Sequence, residues 1–218
     1  GAITIPLTLR VPVGGGIHAP ELHSDSPEAI YAAQAGLKVV MPATPYDAKG
    51  LLVAAVRDGN PVLYLDDRWL YESEGDVPEG LYEVPIGSAA IRRSGKEVTI
   101  IATSYMASEA LKAAETLAQR GIDVELIDLR TIKPWDRDLV YSSVGKTGRL
   151  VIADAAWMSG GIAADIAAAV AGDIFHALKA PIGRVCLPDV PAPTSAALER
   201  AYYVGAEDIV ASVEKVLL

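Results

Sequence analysis

Apolar, β-branched runs alternate with helix-patterned stretches from one end of this chain to the other, and that alternation limits the fold most sharply. It specifies parallel strands covered by crossover helices, an α/β fold with a mostly parallel sheet. Ile3 to Val11, Leu37 to Met41 and Val62 to Leu65 read as strands of a first segment. Two helices fall between them. Each opens on a hydroxyl residue followed by proline, Ser26-Pro27-Glu28 and Thr44-Pro45-Tyr46, the pattern of a capped helix start. Glu97–Ala102, Val124–Leu129, Leu150–Asp154 and Ile182–Cys186 are the expected strands of a second segment. Its helices are expected near Met106–Gln119, Asp136–Val144, Gly161–Val170 and Ala206–Leu218. The polar, acid- and glycine-rich stretch from Asp66 to Tyr82 carries no apolar period and reads as a linker, dividing the chain into residues 1–82 and 83–218. The second part makes a complete small α/β domain. The first is short for one, because a parallel sheet needs cover on both faces, so much of its apolar surface is expected to be interface.

The chain is 51% hydrophobic and 22% charged over 218 residues, enough to bury a core of ordinary size and to exclude extended disorder. Its net charge of -9 opposes binding to nucleic acid or anionic membranes. A single cysteine, Cys186, forms no internal disulfide, which fits a reducing, cytoplasmic setting. No apolar run reaches the length of a membrane span, and the first residues, from Gly1, lack the pattern of a secretion signal.

Several motifs fail on inspection. Gly145-Lys146-Thr147 resembles the end of a phosphate-binding loop, but Val140 stands where the motif needs glycine, so a helix-ending turn is the better reading. Neither G-x-G-x-x-G after a strand nor G-x-S-x-G occurs. Cys186 sits among Ile182, Val185 and Leu187 as a small buried hydrophobe, and His176 reads as structural or solvent-facing.

One loop stands out. Residues 14–26 gather three glycines, His18, His23, Glu21 and Asp25 at the expected end of a parallel strand, where α/β sheets place their chemistry. An imidazole there can exchange protons near neutral pH. Two other readings stay open: a surface loop whose histidines meet water, and a metal site of His18, His23 and Asp25, although that spacing fits no helical or finger pattern.

The runs Leu22-His23-Ser24-Asp25-Ser26-Pro27-Glu28-Ala29, Gly36-Leu37-Lys38-Val39-Val40-Met41-Pro42, Pro45-Tyr46-Asp47-Ala48-Lys49-Gly50-Leu51-Leu52 and Ile127-Asp128-Leu129-Arg130-Thr131-Ile132-Lys133-Pro134-Trp135-Asp136 resemble the beta subunit of thiamine diphosphate-dependent 2-oxoacid dehydrogenases. Those are the decarboxylating components of the pyruvate, branched-chain and acetoin dehydrogenase complexes. Arg57-Asp58-Gly59-Asn60-Pro61, Lys146-Thr147-Gly148-Arg149-Leu150 and Ala180-Pro181-Ile182-Gly183-Arg184-Val185 extend the resemblance over nearly the whole chain.

The resemblance implies the latter part of a transketolase-like pyrimidine-binding domain followed by a transketolase C-terminal-like domain. It implies an enzyme that decarboxylates a 2-oxoacid and passes the acyl group to lipoyl. His23 falls at the family's active-site histidine, and Asp25 replaces the usual amide beside it, where a nearby carboxylate would favour a charged imidazole. The Ala55 carbonyl, Asp58 and Asn60 fall at a potassium site of some relatives, although an Asp-Gly-Asn turn explains the same residues locally. The family's activating glutamate precedes the matching segment, and its diphosphate and magnesium are held by the alpha subunit. The implied partners are therefore that alpha subunit, an amino-terminal piece, the dihydrolipoyl acyltransferase core and a second copy of the chain, and the chain alone is expected to be inactive. Two alternatives accompany this reading. One is a non-catalytic assembly module docking the acyltransferase core, with the alanine-rich helix after Gly160-Gly161 allowing close packing. The other is a transketolase-like or deoxyxylulose phosphate synthase-like enzyme.

Overall fold

The computed structural model describes residues 3–19 and 21–218, together with the backbone but not the side chains of Glu21 and Leu22. Gly1, Ala2 and Pro20 lie outside the described residues, as does the part of the loop and leader readings that rests on them. The elements run β1 (Thr8–Val13), α1 (Glu21–Ser24), α2 (Glu28–Ala32), β2 (Lys38–Val40), α3 (Pro45–Arg57), β3 (Val62–Asp67), β4 (Ala90–Arg93), β5 (Val98–Ala102), α4 (Ser104–Gln119), β6 (Val124–Asp128), β7 (Thr131–Lys133), α5 (Arg137–Thr147), β8 (Leu150–Trp157), α6 (Ile162–Asp173), β9 (Gly183–Leu187), α7 (Ala196–Tyr202) and α8 (Ala206–Leu217).

Among the described residues two sheets form, and both are mixed but mostly parallel. The first has order β1-β3-β2-β7, with β1 and β2 parallel to β3 and β7 antiparallel to β2. The second has order β4-β6-β5-β8-β9, with only β4 antiparallel. The crossover helices account for the parallel pairings, because a chain that continues in the same direction must return along a face of the sheet. Every residue of β3, β5 and β6 is buried, the pattern of strands covered on both faces.

The structure corrects several expectations. The first strand runs from Thr8 to Val13 rather than from Ile3 to Val11; before it, the Ile5 N–H donates to the Gly59 carbonyl at 3.0 Å and the Leu7 carbonyl accepts the Val62 N–H at 2.9 Å. The apolar run of β3 continues through Asp66 and Asp67, so these acids end a strand instead of opening a linker. β4, β7 and α7 were not expected. β7 is three residues of the second segment that pair with β2 of the first, so the two segments share a sheet. They also share a core in which Val39, Leu63 and Leu65 pack with Ile101, Ile127 and Ile152. Gly145-Lys146-Thr147 lies within the last turn of α5, which ends one residue later at Gly148 in the left-handed region, φ 75°. Cys186 is buried, and burial pushes its thiol up to about 12, consistent with an inert core residue.

The first segment leaves its apolar side chains uncovered far more than the second. Ile3, Ile5, Leu7, Leu9, Ile30 and Val56 are all exposed. Such a concentration of exposed large apolar groups marks a surface that meets other protein.

Candidate active site

The carboxyl ends of the parallel strands in both sheets converge on one seam. β1 delivers the loop of residues 14–19, β3 delivers Asp67 and Trp69, and the second sheet delivers Tyr105, Leu187 and Tyr203. These groups close around Gly14, Gly15 and Ser26 with almost no space left. The glycines are there because nothing larger fits. Gly14 has φ +79°, and a Cβ on it would overlap the Asp67 carboxylate; one on Gly15 would overlap the Tyr203 ring and hydroxyl. The triple glycine is therefore a packing device that lets β1 end against the second segment, and no polar cradle is needed to explain it.

His23 lies in the single turn of α1 and is exposed, while Asp25 is half-buried two residues on. Their backbone is fixed from two sides. The Gly14 N–H donates to the Asp25 carbonyl at 3.2 Å, and Arg68 Nη1 donates to the carbonyls of Gly14 at 3.2 Å and His23 at 2.7 Å. Beside this loop a cavity of about 500 Å³ opens, lined by Asp25, Trp157, Ser159, Asp189, Val190 and Pro191. Ser159 donates to Asp189 from both its backbone N–H (2.9 Å) and its hydroxyl (2.7 Å), and these bonds hold the Asp189 carboxyl below its ordinary range. Asp25, two residues from the exposed His23, lines this cavity, so the loop that carries the imidazole borders a space large enough for a bound molecule.

His18 stands apart from His23. It adopts a left-handed backbone, φ 52°, and its Nδ1 meets Glu199, a buried carboxylate of α7. Among the described residues no three histidines, cysteines, aspartates or glutamates group as metal ligands, so the structure does not assemble His18, His23 and Asp25 into a centre.

Asp58 and Asn60 do come together, at the end of α3. Asp58 Oδ1 accepts from the Asn60 N–H at 2.9 Å and from Asn60 Nδ2 at 3.1 Å, and Oδ2 takes the Lys38 ammonium. The Ala55 carbonyl accepts the Asp58 N–H at 3.3 Å as a helix-ending bond. Burial works to raise the Asp58 carboxyl, but the Lys38 and Asn60 bonds outweigh it and hold it low. All three oxygens thus have protein partners, and Lys38 supplies the positive charge at this turn.

Sequence reasoning missed four buried acids at the seam: Glu28, Asp67, Asp154 and Glu199. Burial pushes Asp67 up to about 7 against the lowering effect of the Trp69 N–H, and its Oδ2 has no hydrogen-bond partner. The signal was present in the sequence. Asp66-Asp67 and Asp154 end or interrupt apolar strand runs, and a charged residue in a strand covered on both faces needs a specific reason.

The whole chain matches known proteins in order. Residues 1–73 match the transketolase pyrimidine binding domain and residues 87–209 the transketolase C-terminal domain. The chain is 46% identical over 217 residues to the acetoin:2,6-dichlorophenolindophenol oxidoreductase subunit beta of Cupriavidus necator, covering 100% of this chain and 64% of that protein. It is 44% identical over 218 residues to the pyruvate dehydrogenase E1 component subunit beta of Bacillus subtilis, and 43% identical to the Staphylococcus aureus protein of the same name, covering 67% of each. The chain therefore spans about two thirds of the length of the curated relatives it matches. Among solved structures, a split gene transketolase described as an inactive beta4 tetramer superimposes with a TM-score of 0.81 at 25% identity, over 98% of this chain and 67% of that one.

Proposed function

The chain belongs to the transketolase-like family that includes the pyruvate dehydrogenase E1 beta subunits, and from that premise we propose that it supplies the proton-handling side of a thiamine diphosphate site shared with an alpha-type subunit. The whole protein would decarboxylate a 2-oxoacid and pass the acyl group to lipoyl. The observation that carries this reading is the placement of His23: an exposed imidazole on a loop pinned by Arg68, at the carboxyl edge of the sheet and beside the Asp25-lined cavity.

Thiamine diphosphate supplies, when bound, the carbanion that attacks a 2-oxo carbonyl. The residues present fit one side of such a site. His23 would give or take a proton at its ring nitrogen. Trp157, Val190 and Pro191 would exclude water from the adjoining cavity, and Ser159 with Asp189 would bound its polar end. In this proposal the magnesium and the diphosphate are held by the alpha-type partner, as the resemblance implies. A potassium ion at the Ala55 carbonyl, Asp58 and Asn60 would have to displace Lys38 from Asp58.

The exposed apolar side chains of residues 3–56 support an extensive interface with that partner and with an amino-terminal piece. The lower identity to the split gene transketolase ranks a sugar-transferring enzyme behind the oxoacid reading. Co-purification with an alpha-type subunit, followed by thiamine-dependent turnover of 2-oxoacids, tests the proposal. Stable assembly with an acyltransferase core but no turnover would favour a docking module instead.

A further inference from the structure

Glu28 opens α2, immediately after the candidate catalytic loop, and its carboxyl is completely buried. Neither of its oxygens receives a hydrogen bond from an ordinary donor. It meets another carboxyl, that of Asp154, which lies fully buried on β8 of the second sheet. Two ionised carboxylates cannot share a dry site, because each lacks the water that would screen it from the other. One of the two must hold a proton.

The donors decide which. Asp154 Oδ1 faces Thr103 Oγ1 at 3.3 Å and the Ala156 N–H at 3.4 Å, and its Oδ2 faces the Ala163 N–H at 3.3 Å, in the first turn of α6. That set stabilises an anion. Glu28 has nothing comparable, and as a neutral acid it has the one O–H that the arrangement needs. We infer that Glu28 is protonated and donates its proton to the Asp154 carboxylate, forming an acid pair that fastens the helix after the candidate catalytic loop to the second sheet.

The surroundings agree. The charges bearing on Glu28, Asp154 and Asp67, are both negative, and burial is the largest influence holding its carboxyl well above the usual range. Cys186, on β9, is neutral. On the other elements packed against α2, Lys38 of β2 is committed to Asp58, while Lys133 of β7 and Asp165 of α6 line a separate cavity beside Ala29, Ala32 and Ala33. The consequence is a pH-dependent fastening. Because the native state keeps a proton that the unfolded chain would release, the contribution to stability is complete below the ordinary glutamate value, 4.5, and is lost as pH rises through the higher native value. Over that window the folding constant falls by roughly tenfold per pH unit from this pair alone.

Glu28→Gln replaces the protonated acid with a permanent donor of the same shape. In the cofactor-free 218-residue chain, the wild type is expected to show an infrared carbonyl band of a protonated carboxyl at neutral pH that E28Q lacks. The wild type should also lose stability with rising pH about tenfold per unit more steeply than E28Q within the window. A wild-type protein with no such band, or parallel stability profiles for the two proteins, would overturn the inference. If E28Q fails to fold, carbon-13 carboxyl labelling of the wild type gives the same answer: a glutamate signal still at its protonated position at neutral pH supports the pair, and all glutamates ionised refutes it. None of these readouts requires thiamine or a partner, so a complex assembled with its partners that turns over no oxoacid would count against the proposed function and leave this inference standing.

Discussion

Replacing Asp47 by alanine should be far more damaging than any exposed ion-pair deletion in this protein, and the structure says by how much. Asp47 is fully buried at the start of α3, where it accepts from Arg130 Nη1 at 3.1 Å, from Thr44 Oγ1 at 2.7 Å and from Arg92. Arg92 also donates to the buried Asp128 at 2.7 Å, so one network ties α3 to β4 and to the turn after β6. Without Asp47, Arg92, 27% exposed, keeps only Asp128, and Arg130, 12% exposed, loses its carboxylate and keeps only the Ser88 and Ala89 carbonyls. Removing one partner of a buried pair typically costs about 3–5 kcal/mol, because the surviving charge stays desolvated. The Arg57–Glu83 pair supplies the control: its bond is 2.6 Å, but its partners are 55% and 46% exposed, and such pairs contribute about 0–1 kcal/mol. Urea unfolding of the wild type, D47A, R92A, R57A and the double variant D47A/R92A measures both. D47A should lose at least about 3 kcal/mol and R57A less than about 1, and D47A/R92A should lose less than the D47A and R92A losses combined. A D47A loss no larger than that of R57A would refute the assignment of this network as the clamp between the segments.

Three further outcomes follow from the seam and the α3 turn. Burial raises Asp67 to about 7, so its native state holds a proton that the unfolded chain releases above about 4; stability should fall by about 4 kcal/mol as pH rises between those values, and Asp67→Asn should remove that part of the slope in unfolding measured from pH 4 to 8. Gly15→Ala drives a methyl group into Tyr203 and should cost about 1–3 kcal/mol by thermal or chemical unfolding; a neutral effect would show that the seam yields. Lys38→Met removes the ammonium from Asp58, so potassium at ten times its dissociation constant should then stabilise the chain by about 1.4 kcal/mol, and equal responses to potassium and sodium chloride would count against a cation at Ala55, Asp58 and Asn60.

Much of the fold was legible because a covered parallel strand writes itself as an unbroken apolar run, as Val98–Ala102 and Val124–Asp128 do. The short antiparallel strands β4 and β7 were not, since three or four residues carry too little pattern and their pairing is decided by distant partners. Asp66 and Asp67 were misread as linker because acids ordinarily mark exposed chain, whereas here a buried seam holds them. The loop of His23 and Asp25 stood out by composition, but local sequence could not reveal that its glycines serve packing against Asp67 and Tyr203, or that Glu28 crosses to Asp154. Those contacts join residues far apart in the chain.

The central claim is that His23 handles protons and acyl transfer at a shared thiamine site, and its most direct measurement is lipoyl acylation by a complex reconstituted from this subunit, the amino-terminal piece, an alpha-type subunit, thiamine diphosphate and a lipoyl acceptor. Wild-type complex should acylate the lipoyl group, and His23→Ala should abolish that transfer while leaving assembly intact. Transfer at an unchanged rate in the His23→Ala complex would contradict the account.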